Sequence, residues 1–539
     1  MRVAIVGAGF AGLATAKVLT QAGHQVRVFD RSPDVGGVWS RTRRYPGVTT
    51  QSPKAQYSLS DFPMPKSYPE WPSGAQVQAY LAAYVAEFGI ESVLRLNTEV
   101  TAARPAGDGR WTLDIRDAGG VESVEEFARA EEFARAEEFD RVEEFDRLVV
   151  ANGVFCEPLV PAYPGLEEFT AAGGRLRAAT EFHDVEEARD RHVLVVGYGK
   201  SACDVAAAIS GVAAGTDVIA RQLLWKVPRK IAGFLNFKLL LLTRLGEGLF
   251  RYLRLRGFEK FLHGPGNGLR RRMINSIGSV SVRQFGLAKL GLVPAGHMED
   301  IVRGAIGLAS EGFFEGVADG SITVHRDRTI TRLLGGHGGP AAELSDGSTL
   351  RADLVLCATG FTQGVPFLPA ETRRQLLDER GNFMLYRQIL PLGVPGLYFN
   401  GYNSSFFSPL NAEMAALWIA ADLAEAVALP DPEAMRRAVV EQLAFMDEAT
   451  DTHHCRGTKI IPFSMHNVDE VLGDLDLNIG ATVRASHWLG AVNPAAYRRV
   501  TPLLLRRLSP SAPRPGTGSS GPTPVDSFSG NEEVPSDLR

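Results

Sequence analysis

VAIVGAGFAG at Val3–Gly12 and VLVVGYGKSA at Val193–Ala202 decide how this chain folds. Each follows a short apolar run that reads as a strand and opens a segment that reads as a helix, the context that separates a dinucleotide-binding turn from a chance match. The glycines permit a tight turn and let the backbone approach a pyrophosphate, whose charge the helix N-terminus favours. One such turn implies a nucleotide. Two, starting about 190 residues apart, imply two nucleotides brought together, and with them electron transfer between a nicotinamide and a flavin.

Around the first turn the pattern is strand Arg2–Val6, helix from about Phe10 to Gln21, strand Gln25–Asp30. Asp30 falls where an acidic side chain accepts hydrogen bonds from a ribose diol. A free 2′-hydroxyl is required there, which FAD or NAD offers and NADP does not. Around the second turn the following strand, Asp217–Ala220, ends at Arg221 instead of an acid. An arginine there pairs with a 2′-phosphate and points to NADPH. Lys226, Arg229 and Lys230 follow closely and are expected to share that task.

Between the turns, Leu94–Arg116 alternates as short antiparallel strands turning at Gly107–Gly109. Four six-residue units then run EEFARA, EEFARA, EEFDRV, EEFDRL from Glu125 to Leu148. Each sets a Glu four residues before an Arg, as in Glu143 with Arg147, which supports a helix. Their phenylalanines, six apart, share a face only in a strand. A tandem duplication extending an exposed connection is the plainer reading. Strand Leu148–Ala151 follows, and Leu354–Ala358 and Leu397–Asn400 are expected to rejoin the first sheet.

Length suits two to four domains. An apolar content of 45%, a charged content of 22% and a net charge of −5 suit a soluble globular protein with no nucleic-acid partner. Cys156, Cys203, Cys357 and Cys455 form no CxxC pair, which excludes a disulfide framework and fits the cytoplasm. No apolar run reaches the roughly 18–20 residues that span a bilayer. From Arg221 to Arg272 the chain is basic and interleaved with Leu, Phe and Trp, so 231–272 is a candidate for peripheral contact with an anionic membrane, beside the plainer reading of solvated helix faces. His453–Cys455 lacks a second ligand group at metal-site spacing, so no metal is expected. His466 in PFSMHN reads as a structural or pocket residue. The tail from about Ser509 is rich in Ser, Pro and Gly and is expected to be disordered. A homo-oligomer is left open.

Taken together these residues resemble the flavin-containing monooxygenases of the two-dinucleotide-domain type. GAGFAG (Gly7–Gly12) is similar to their FAD turn and GGVW (Gly36–Trp39) to the next flavin-contact segment. RYPGVTTQSPK (Arg44–Lys54) and SLSDFPMP (Ser58–Pro65) resemble the stretch lining the flavin's reactive face. GYGKSA (Gly197–Ala202) resembles the NADP turn, and ATGF (Ala358–Phe361) the late linker. GYNSSFFSPLNAEMAALW (Gly401–Trp418) resembles the lead into a helix whose N-terminus faces the flavin, with Ser408 and Pro409 reading as N-cap and first helical residue.

The resemblance implies an α/β fold of two Rossmann-like dinucleotide-binding domains, the NADP domain inserted into the FAD domain. The expected division is 1–165 with 331–508 for FAD, 166–330 for NADP with a basic helical insertion, a repeat insert at 125–148 and a tail at 509–539. It implies FAD contacts from Gly7, Gly9, Phe10, Ala11, Gly12, Asp30, Arg31, Gly37, Val38, Trp39 and Val100. NADP contacts are implied for Gly197, Tyr198, Gly199, Lys200, Ser201, Ala202, Arg221, Thr359 and Gly360. Catalytic roles are implied for Gln51 and Asn411.

The implied chemistry is reduction of FAD by NADPH, then addition of O2 to give a C4a-(hydro)peroxyflavin that passes one oxygen atom to a small lipophilic substrate. Three positions depart from the family pattern. Its Phe-x-Gly-x-x-x-His motif has Arg177 where His is expected, Asn152 replaces a usual Thr, and Gln51 stands where relatives carry Asn or, in Baeyer–Villiger enzymes, Asp. An amide cannot ionise, which favours transfer to nitrogen or sulfur. Baeyer–Villiger oxygenation, C-hydroxylation, flavin reduction without oxygen insertion and a non-catalytic nucleotide scaffold are the alternatives.

Overall fold

The computed structural model describes residues 1–117, 140–299, 307–336, 338–403, 405–449 and 464–509. The metal-like His453–Cys455, most of the hexapeptide run and the tail lie outside the described residues.

Val3, Ala4 and Ile5 are fully buried, as are Val193, Leu194 and Val195. Strands so apolar on both faces need cover on both sides, which a parallel sheet flanked by helices supplies. Two such sheets form. In the first, the strands run Leu397–Phe399, Arg147–Val150, Arg2–Val6, Gln25–Phe29, Leu94–Arg95, all parallel. In the second they run Thr323–Arg326, Gly215–Ala220, His192–Val196, Leu354–Cys357, Arg175–Ala178, again all parallel. Each sheet places the strand that leads into the glycine turn at its centre, where the strand order reverses. That reversal opens a crevice beyond the strand ends.

Leu354–Cys357 corrects the expectation that it rejoins the first sheet: it lies between His192–Val196 and Arg175–Ala178. The antiparallel strands Ile330–Leu334, Ala341–Leu344 and Thr349–Arg351 come with it. Leu333, Ala342 and Leu344 share a core with Leu194, Ile219 and Val355, so apolar packing holds residues 331–357 to the second unit. We therefore place the return to the first unit near Ala358, not at 331. Leu397–Phe399 does join the first sheet, beside Arg147–Val150.

Two linkers cross between the units and pair with each other. Glu157–Pro158 runs antiparallel to Phe361–Thr362, and the Leu159 N–H donates to the Gly360 carbonyl at 2.9 Å. Asn152 ties the crossing together: its amide donates to Gly364 O and its carbonyl accepts from the Tyr402 hydroxyl, each at 2.8 Å.

Thr98–Gly107, Arg110–Asp117 and Asp140–Phe145 form an antiparallel meander over the first sheet. The alternating Trp111, Leu113 and Ile115 are buried, and Phe145 lies edge-on to Phe29 at 5.9 Å. The end of the hexapeptide run is thus strand, not helix. Glu143 accordingly does not meet Arg147; it pairs with Arg27, Arg2 and Arg141, because residues four apart face one another only on a helix.

Candidate functional site

Each residue of the first glycine turn has a distinct steric task. At Gly7 (φ +112°) a Cβ would stand 2.4 Å from Ala151 O, and at Gly12 one would stand 1.8 Å from Gly7 O. Gly9 is different: its Cβ would make only ordinary contacts, the nearest to Gly37 Cα at 3.6 Å. Gly9 is the N-cap of helix Phe10–Gln21, with no side-chain cap and no acid in the first turn. The amides of Phe10, Ala11 and Gly12 therefore remain for an anion. Asp30 sits beside them, accepting from Ala8 N at 2.7 Å and Ser32 N at 2.8 Å. Carboxylate oxygens have lone pairs beyond those two bonds for a ribose diol.

Gly37, Val38 and Trp39 form a helical turn against Gly9, with Trp39 edge-on to Tyr57 at 5.8 Å. Arg31 is exposed and reaches Glu157 at 4.0 Å. Val100 is buried in the core of the meander.

The second turn repeats the design with one change. Gly197 (φ +127°) backs onto Ala358 O, 2.5 Å from where a Cβ would be, and Gly199 caps Lys200–Ile209 with open space before it. Ala202 takes the third glycine's place and is fully buried behind the turn. Lys200 is ion-paired with Asp204 and lies 3.5 Å from Thr49 Oγ1; burial pushes its pKa down. Ser201 interacts with the buried hydroxyl of Tyr45. Arg221, the first residue beyond strand Gly215–Ala220, is exposed and has no acidic partner among the described residues. Thr359 donates to Leu159 O across the linkers, and Gly360 turns with φ +97°.

Two of the cations expected beside Arg221 go elsewhere. Lys226 is buried, with its Nζ 5.4 Å from the Tyr198 ring centroid and no hydrogen-bond partner, because the short strand Lys226–Val227 pairs with Gly307–Leu308 and turns it inward. Arg229 crosses to the first unit: it donates to Thr49 Oγ1 at 2.8 Å, pairs with Glu311 at 3.1 Å and lies 5.3 Å over the Trp71 ring. Lys230 is exposed.

The flavin-facing stretch therefore meets the second unit at Thr49 and Gln51. Gln51 Oε1 accepts from Leu308 N at 3.3 Å. One residue on, Ser52 Oγ donates to Phe406 O at 2.7 Å, fastening the stretch to the start of helix Ser408–Leu423. That helix starts one residue earlier than the Ser–Pro pair suggests: Phe407 is the N-cap, and Ser408 is already helical, its Oγ donating to Ser405 O at 2.5 Å. Asn411 is buried, with every amide group engaged. Its carbonyl accepts from Asn403 and Asn467, and its amide donates to Ser405 Oγ and Phe407 O. Around this junction Thr50 Oγ1, Trp71 Nε1, Arg229 Nε, Lys226 Nζ and Ser310 Oγ are buried without partners. Buried polar atoms are seldom left so, and a cluster of them marks where a polar ligand belongs.

Residues 1–262 match the family model described as flavin-binding monooxygenase-like. A probable flavin-containing monooxygenase 1 of Arabidopsis thaliana is 27% identical over 503 residues, covering 88% of this chain and 92% of the relative. By both comparisons the chain is similar to the flavin-containing monooxygenases. Among solved structures, S-allyl-L-cysteine S-oxygenase from Allium sativum covers 94% of each chain (TM-score 0.57, 18% identity). A cyclohexanone-bound cyclohexanone monooxygenase covers 88% of this chain and 97% of its own (TM-score 0.64, 17% identity), and both likenesses speak to the fold.

As a flavin-dependent monooxygenase the protein takes FAD and NADPH as its cofactors. The two open, uncapped helix ends and the orphaned polar atoms between them suit two dinucleotides meeting at the junction. Arg177, which stands where a histidine was expected, lies on strand Arg175–Ala178 and pairs with Glu187 at 2.7 Å. His466 is held between Glu247 (2.5 Å) and Glu259 (2.8 Å), a structural role. No group of three His, Cys, Asp or Glu among the described residues suits a metal ion. Thr49, Ser52 and Asn467 were not singled out from the sequence. Thr49 and Ser52 flank Gln51 in the quoted stretch, but nothing in one dimension says that partners from 229, 308 and 406 converge there.

Proposed function

We propose that this monooxygenase transfers one oxygen atom of O2 to a nitrogen or sulfur of a small lipophilic substrate, with water and NADP⁺ as the other products. When bound, reduced FAD supplies the activation of dioxygen. The chain's own residues orient, shield and hold charge. Gly9 and Gly199 open the two helix ends to pyrophosphates; Asp30 takes the FAD ribose; Arg221 takes the 2′-phosphate. Gln51 donates its amide N–H groups at the junction while Leu308 N–H holds its carbonyl. Asn411 acts by position: it braces residues 403–407 against Asn467 and so sets the loop before the helix end.

The observation that carries the reading is Gln51. Transfer to a soft nitrogen or sulfur needs a protonated, electrophilic oxygen donor, whereas attack on a ketone needs a deprotonated one. An amide provides no base at this position.

A second reading, Baeyer–Villiger oxygenation, is favoured by Arg229, whose cation at the junction would stabilise an anionic donor. Product analysis separates them. With thioanisole, N,N-dimethylaniline and cyclohexanone under ¹⁸O2, we expect labelled sulfoxide or N-oxide and no lactone. Lactone as the main product would overturn the assignment, and NADPH consumption matched only by hydrogen peroxide would identify a reductase.

A further inference from the structure

The segment 251–272 is basic for a reason the oxygenation chemistry does not use. It holds seven Lys and Arg residues, Arg251, Arg254, Arg256, Lys260, Arg270, Arg271 and Arg272, against one acid, Glu259. That acid is turned inward onto His466, and Arg270 is buried against Glu299 at 2.7 Å. Arg254 meets Glu441. Arg251, Arg256, Lys260, Arg271 and Arg272 are exposed and have no acidic partner among the described residues. Five free cations on a chain whose net charge is −5 make a local field opposite to the global one.

Aromatic side chains lie among these cations. Phe258 and Phe261, on helix Phe258–Leu262, stack at 5.4 Å and are 49% and 43% exposed. Trp488 stands edge-on to Phe258 at 6.2 Å, and the next residue, Leu489, is 80% exposed. Phe261 rests on the backbone at Gly266, which leads directly into helix Asn267–Gln284, where Leu269 is exposed three residues before Arg272 and so on the same side of the helix. Large apolar side chains exposed together mark an interaction site. An apolar centre with a cationic rim matches the boundary between acyl chains and anionic headgroups. A nucleic acid satisfies the cations and stacks on aromatic rings, but it leaves the aliphatic Leu269 and Leu489 in water.

We propose that Phe258, Phe261, Trp488 and Leu489, ringed by Arg251, Lys260, Arg271 and Arg272, dock this monooxygenase on an anionic phospholipid surface. The attachment is peripheral: no helix among the described residues is long and apolar enough to cross a membrane. It is independent of the atom that the enzyme oxygenates.

The test is flotation of the full-length holoenzyme with vesicles of phosphatidylcholine alone and of phosphatidylcholine mixed with phosphatidylglycerol. Binding should be confined to the mixed vesicles and weaken as salt rises. The R271E/R272E and F258S/F261S variants should each lower it about tenfold or more. Both should keep FAD and NADPH oxidation in vesicle-free buffer, which shows that they fold. Equal partition to both vesicle types, or wild-type binding by either variant, overturns the proposal. So does binding to heparin but not to mixed vesicles, which would assign the patch to a polyanion. Binding that appears only after removal of residues 510–539 would make that tail the occupant and overturn it as well.

Discussion

Arg221 and Arg229 are eight residues apart and face different tasks. Arg221 stands free at the end of its strand, whereas Arg229 is committed to Thr49, Glu311 and the face of Trp71. Charge-assisted hydrogen bonds contribute about 1.5–3 kcal/mol each. Arg221→Ala should therefore raise KM for NADPH about tenfold or more and leave KM for NADH nearly unchanged; equal effects in steady-state kinetics would remove its role. His466 makes a second residue-scale prediction. Burial opposes its charge, but hydrogen bonds from both ring nitrogens to Glu247 and Glu259 outweigh that and raise its pKa to about 10. His466, Glu247 and Glu259 line a cavity together with Arg244, Arg256, Arg484, Asp469, Glu470 and Tyr252. Because the folded pKa lies above the unfolded value of about 6.5, the stabilisation is complete below pH 6.5 and is lost as pH rises through about 10. Melting temperature should fall across that range, and the fall should be shallower in His466→Gln.

At the scale of elements, the hexapeptide run shows which of two periodicities prevails. Its Glu–Arg spacing suits a helix and its Phe spacing suits a strand; where the run meets the meander, burial of Phe145 against Phe29 decides for the strand. Surface pairs contribute a few tenths of a kcal/mol, while a buried Phe truncated to Ala costs about 3–5 kcal/mol. Phe145→Ala should thus lower stability by that amount in urea unfolding. Removing one six-residue unit, 131–136, leaves the paired strand Asp140–Phe145 and its register untouched, so FAD content and melting temperature should stay close to wild type. Loss of FAD in that deletion would mean that the repeats position the sheet. The strand Leu354–Cys357 illustrates the converse: four buried apolar residues suit either sheet, and their sequence carries no sign of which one they enter.

At the scale of the whole molecule, the two units share a broad apolar boundary, with Val227, Phe237 and Leu308 in one core with Val77 and Leu410, and a few polar contacts fix the junction within it. Thr49 receives Arg229 and faces Lys200, Gln51 receives Leu308, and the paired linkers cross at Gly360. A guanidinium that spans both units ties the segment around Arg229 to the stretch at Thr49. Arg229→Ala should therefore lower kcat for oxygenation several-fold and raise the peroxide released per NADPH, while FAD content is retained and Arg229→Lys recovers part of the coupling. Unchanged coupling in the alanine variant would confine Arg229 to packing.

Local stereochemistry explains what was legible from residue order. Only glycine fits where a Cβ would strike Ala151 O, Gly7 O or Ala358 O, and strands buried on both faces are apolar throughout, so both nucleotide turns and the α/β fold are written in short stretches. Asp30 and Arg221 likewise lie at fixed offsets from those turns. Contacts between residues far apart in the chain were decided by packing alone. Whether Arg229 joins Arg221 or Thr49, whether Leu354–Cys357 enters the first sheet or the second, and what surrounds Asn411 depend on which surfaces are brought together. Those choices minimise exposed apolar area and unpaired polar groups over the whole chain, a sum to which no single stretch of sequence holds the terms.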